Sequence, residues 1–148
     1  MIRRSRLAAL VGIALVASVA SGCSQMPFHD DSYKTEIPAA LEAADLGITD
    51  ASAGITLDGF SETLVVGGTI ESSVMSGDTV SPQFVQKVIT VALEGRSIDT
   101  AYFGLALSLS RYDFVDTDSA LEELGASPRS DGSITMEQAE RIARGGSE

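Results

Sequence analysis

Residues 101–109 hold the longest strict alternation in the chain. Ala101, Phe103, Leu105, Leu107 and Leu109 are apolar, and Tyr102, Gly104, Ala106 and Ser108 lie between them. Side chains of an extended chain point alternately to opposite faces, so this spacing predicts a strand with one apolar face and one smooth, weakly polar face. Such a strand cannot stand alone. Its backbone groups need neighbouring strands, and its apolar face needs a covering layer.

The preceding sequence supplies both. Ala51, Ala53, Ile55 and Leu57 alternate with Ser52, Gly54, Thr56 and Asp58, which predicts another strand. Asp58-Gly59 opens a turn. Leu64, Val66 and Ile70 then point one way and Thr63, Val65 and Thr69 the other, which makes a hairpin. Gly67-Gly68 marks a bulge or a close backbone approach. Helical spacing appears in Ile37, Leu41 and Ala44, with Pro38 in the expected first turn and Gly47 as a stop. It appears again in Phe84, Val88 and Val91, behind a Ser81-Pro82 start. Two short helices follow, at 117–124 and from Thr135 to about Arg144. Ser119/Glu122 and Thr135/Gln138 stand at capping-box spacing. The 72–80 stretch reads as a polar loop.

The expected order is α-β-β-α-β-α-α. Strands two and three are joined by a helical crossover, as parallel pairing requires. The fold class is α+β: a small two-layer sandwich of a three-stranded sheet with helices on one face. The expected organisation is a signal peptide over 1–22, a tether over 23–35 and a single domain over 36–148.

The N-terminus carries the compartment signal. Arg3, Arg4 and Arg6 precede an uncharged apolar stretch from Leu7 to Ala20. That stretch is 14 residues long, short of the roughly 20 needed to span a hydrocarbon core. Ala20-Ser21-Gly22-Cys23 follows and resembles the lipobox of bacterial lipoproteins, with Ala20 where the family favours leucine. The resemblance implies lipid on the Cys23 thiol, cleavage before Cys23, and a membrane partner reached through that lipid. The location it implies is the extracytoplasmic side of the cell membrane, in the cell envelope. The chain is also similar to short lipoproteins of high-GC Gram-positive bacteria. Cys23 is the only cysteine, so the domain has no disulfide to rely on. Cleavage would leave 126 residues with 7 basic and 21 acidic side chains, a net charge of −14. That balance argues against nucleic acid as a partner.

The α-β-β-α-β order over Pro38 to Ser110, with Gly68-Thr69-Ile70 ending strand two, resembles the BON domain of bacterial envelope proteins. In that family the module is linked to phospholipid or envelope attachment. The 72–80 loop and the scarcity of basic residues depart from its pattern.

Catalytic chemistry finds little support. The only histidine, His29, lies in the expected tether, and the only cysteine is assigned to lipid. Neither a Ser-His nor a Cys-His dyad can form in the domain. No phosphate-binding glycine loop or zinc ligand set is present, and no cofactor or metal is expected. Asp131-Gly132-Ser133 copies part of an EF-hand loop but lacks the acids that loop needs, and Asp113, Asp116, Asp118 and Glu122 read as helix-start acids. The remaining candidate surface is the smooth sheet face: Thr56, Thr69, Gly104, Ala106 and Ser108, with Tyr102 and Tyr112 at the rim. It points to a non-catalytic envelope module that binds another protein. A carboxylate-dependent cell-wall hydrolase is the alternative; it requires a cleft with two acids about 5–10 Å apart.

Overall fold

The computed structural model describes residues 30–145. The expected signal peptide, Cys23 and His29 lie outside the described residues. Among the described residues the fold is α+β, with a mixed sheet and four α-helices.

Helix α1 (Tyr33–Ala43) starts earlier than Pro38 suggested. Asp30 Oδ1 accepts from the Ser32 N–H, and the Thr35 hydroxyl donates to the Ser32 carbonyl. Pro38 sits inside the helix and costs it one backbone bond, to the Lys34 carbonyl. Burial offsets that loss. Tyr33, Ile37 and Leu41, spaced by four, are all in the core, so ordered structure extends into the stretch expected as tether.

Strands β1 (Ile48–Asp58) and β2 (Ser61–Ile70) form the expected hairpin, with Gly59 at φ +63° in the turn. The β1 register shifts between Thr49 and Ser52, opposite Gly67-Gly68. Here the glycines permit a close approach. A Cβ on Gly68 would lie 2.6 Å from Ile48 Cγ2, and one on Gly67 would lie 3.0 Å from the Ala106 carbonyl oxygen.

The 72–80 loop holds one 3-10 turn and a small separate hairpin, β3 (Met75–Ser76) with β4 (Thr79–Val80). Helix α2 (Pro82–Leu93) then begins as expected. The Ser81 hydroxyl accepts from the Phe84 N–H, and Pro82 occupies the first turn. Strand β5 (Tyr102–Ser110) runs parallel to β2, with Leu64 beside Phe103 and Thr69 beside Ser108.

Among the described residues the sheet has five strands, not three. Strand β6 (Asp113–Phe114) pairs antiparallel with the end of β5, and β7 (Ile134–Thr135) pairs antiparallel with its start. Both use the β5 edge that β2 leaves free, so the order is β1-β2-β5 with β6 and β7 sharing the last place. Helix α3 (Asp118–Glu123) opens at Thr117 without a side-chain cap, so the Ser119/Glu122 capping box does not form. Instead the Asp116 carboxylate accepts from the Asp118 N–H. Helix α4 (Met136–Ala143) carries the expected box: Thr135 Oγ1 accepts from the Gln138 N–H, and Gln138 Oε1 accepts from the Thr135 N–H.

The alternation assigns the faces of β2 and β5 correctly, while on β1 Ala51, Ala53 and Ile55 are only half-buried and Leu57 is exposed. Leu64, Val66, Phe103 and Leu107 are buried and join the buried side chains of all four helices in one hydrophobic cluster. Leu105 and Leu109 are half-buried, and Ala101, just before β5, is exposed.

Candidate functional site

Strand register places the candidate face in rows across three strands. Thr56, Thr63 and Tyr102 form one row, and Gly54, Val65 and Gly104 the next. Ser52, Gly67 and Ala106 form the third, and Thr49, Thr69 and Ser108 the fourth. Six of the seven residues expected on the surface therefore share one continuous patch. Tyr112 does not. It lies in the turn after β5, 85% exposed and beyond the rows.

Two features of this face differ from the sequence expectation. Tyr102 is not a free rim anchor. The Arg129 guanidinium, from the loop after α3, lies 4.1 Å from its ring centroid, a cation–π contact that covers this end of the face. Arg129 also lies 3.9 Å from the Asp131 carboxylate, which anchors the loop. Asp131 accepts in turn from the Ser133 hydroxyl at 2.6 Å and the Ser133 N–H at 3.0 Å. Those hydrogen bonds from Ser133 hold its carboxyl below the ordinary carboxylate range, with a smaller contribution from Arg129. The segment that resembles an EF-hand is thus a hydrogen-bonded turn that braces Arg129.

The second difference is Phe114, which the sequence reading passed over. It pairs directly with Ser108 and so projects from the same face, 71% exposed. Tyr112 and Phe114 together form an apolar corner at the far end of the smooth face from Arg129. The alternation Tyr112-Asp113-Phe114 was its only sequence signal, and three residues are too few to establish a period.

A cleft lies elsewhere, between α1, β1 and the 95–99 loop, with a volume of about 470 Å3. Asp30, Glu36 and Asp99 contribute acids to its lining, beside Arg96. Arg96 acts as a staple. Its guanidinium donates to the carbonyls of Val91, Glu94 and Glu36, and its Nε lies 3.6 Å from the Glu36 carboxylate. Asp30 is held below its usual value by hydrogen bonds from Ser32, first the N–H and then the hydroxyl. A glycosidase needs one carboxyl raised so that it can give up a proton. Asp30 is shifted the opposite way.

Among the described residues, no group of three metal-ligating side chains converges and no helix is long and apolar enough to cross a membrane. No family model, curated protein sequence or solved structure matches the chain. The BON likeness therefore rests on element order and the Gly68-Thr69-Ile70 segment alone.

Proposed function

We propose that this protein is a lipid-anchored, non-catalytic module of the cell envelope. Cys23 carries the lipid, on the extracytoplasmic side of the membrane, and the smooth sheet face receives a protein partner. One observation carries the binding reading. A surface of mostly small side chains, interrupted by Val65, crosses β1, β2 and β5 and leads to the exposed Phe114, with exposed Tyr112 in the turn beyond it. Small residues let a partner backbone approach closely, and exposed aromatic rings supply anchoring area at little cost in side-chain entropy. The hydrolase reading gains no such support from the cleft.

Two experiments test the two halves separately. Cys23→Ala should abolish incorporation of labelled palmitate and release the protein from the membrane fraction. Retention of the variant, with no label on the wild type, would overturn the anchor. For the face, a photo-crosslinking residue at Phe114 in intact cells should give a defined adduct that Ser108→Lys removes and Gln83→Lys leaves. Gln83 lies exposed on α2, so it controls for added charge. Equal adduct from both variants would leave the face as solvated surface.

A further inference from the structure

The two ends of the sheet are both apolar, and only one of them can face the membrane. Strand β5 starts at Tyr102 beside the β1–β2 hairpin and ends at Ser110 beside Tyr112 and Phe114. Eight residue steps of strand separate these ends by roughly 26 Å. At the hairpin end, Phe60 is fully exposed and Leu57 is 72% exposed. An aromatic ring at the tip of a two-stranded turn is unusual, because turn positions favour Gly, Asn, Asp and Ser.

The chain also enters the domain at this end. Asp30 and Tyr33 line the same cleft as Ile55, two residues before Leu57 on β1. Leu57 therefore projects only about 7 Å beyond that cleft along the strand. Asp30 lies seven residue steps from Cys23, a stretch that spans at most about 25 Å. A lipid on Cys23 thus holds the hairpin tip within reach of the bilayer, at high effective concentration. Tyr112 and Phe114 lie at the opposite end.

We infer that the β1–β2 hairpin tip, through Phe60 and Leu57, is a second membrane contact that seats in the lipid headgroup–acyl boundary and fixes the orientation of the domain. This rests on the lipid-anchor reading of Cys23. It adds that the domain is oriented rather than swinging, with the Tyr112–Phe114 corner pointing away from the bilayer. Asp58 and Glu62 flank the tip and Asp30 and Asp31 the chain entry, so the lipid surface it fits is zwitterionic rather than strongly anionic.

The chain has no tryptophan, so one introduced indole reports without background. The full-length precursor is expressed in a host that processes lipoproteins, and the lipidated product is placed in phosphatidylcholine vesicles with brominated acyl chains. Phe60→Trp should emit at shorter wavelength than Tyr112→Trp and lose at least half its intensity to bromine, while Tyr112→Trp keeps most of its own. Leu57→Trp is the second reporter at the same tip and should behave like Phe60→Trp. Water-like emission from both tip reporters in protein that carries labelled palmitate overturns the membrane contact and leaves the anchor standing. Equal quenching at the tip and at Tyr112 overturns the fixed orientation. Absence of palmitate label overturns the anchor, and the inference with it.

Discussion

Gly68 shows how little space the core-facing side of the sheet leaves. A methyl group there would press on Ile48, which folds over the strand where β1 shifts register. Gly68→Ala should therefore cost about 1–3 kcal/mol in urea unfolding, the usual penalty for overfilling a packed site. No measurable cost would mean that Ile48 turns aside freely. A different residue, Asp131, carries an acid sensitivity. Its folded-state pKa lies below the ordinary value because Ser133 donates to the charged form. A depressed carboxylate pKa contributes stability that is complete above the unfolded-state value, about 3.9 for Asp, and is lost as pH falls below it. Asp131→Asn should thus be less stable than wild type near neutral pH, with the gap closing as pH falls below the unfolded-state value. Paired urea melts across that range check the sign; a gap that widens on acidification would contradict it. Arg129 should also loosen from Tyr102 in the variant, visible as increased solvent exposure of that ring.

At the scale of elements, legibility followed length. Strand β5 runs nine residues and both of its faces were readable, because a period of two repeats several times within it. Leu107 lies at its centre, almost fully buried, and Leu107→Ala should cost about 2–5 kcal/mol. A loss under half a kilocalorie in the same unfolding assay would place the core elsewhere. Strands β6 and β7 have two residues each, so no period exists to detect, and a three-stranded sheet was the natural expectation. Both strands form because β5 offers a free edge, and that is a tertiary fact. Helix α1 failed to be read in full for another reason. Tyr33, Ile37 and Leu41 carry the correct spacing, but Pro38 in a first turn suggested a start near Thr35 or Glu36, and the polar flank of Tyr33 suggested tether. Caps were legible where side chain and backbone exchange bonds, at Ser81 and Thr135. They were misread at Ser119, where the preceding Asp116 satisfies the helix start instead. The candidate face was legible as a phase of three strands. Its cover by Arg129 and its extension by Phe114 depend on loops returning from far along the chain.

The whole molecule carries a net charge of −11, with 21 acids against 10 basic residues. Among the described residues, only four ion pairs form, at Lys34–Asp31, Arg96–Glu36, Arg129–Asp131 and Arg144–Glu140. Most acids therefore repel one another without local compensation, and salt should relieve that strain. The melting temperature should rise by a few degrees between low and about 0.5 M sodium chloride; a fall would mean that the ion pairs matter more than the repulsion. The arrangement around β5 has a consequence for how such a molecule comes into being. Phe103 is flanked by Leu64 on one side and Ile134 on the other, and α4, immediately after Ile134, packs against α2. Pairings this distant in sequence close late, after most of the chain is free to search. A chain emerging N-terminus first from a ribosome or a translocation pore thus stays open until residues 134–143 arrive. Any product that stops before Ser133 retains an unfinished core and offers it to proteases.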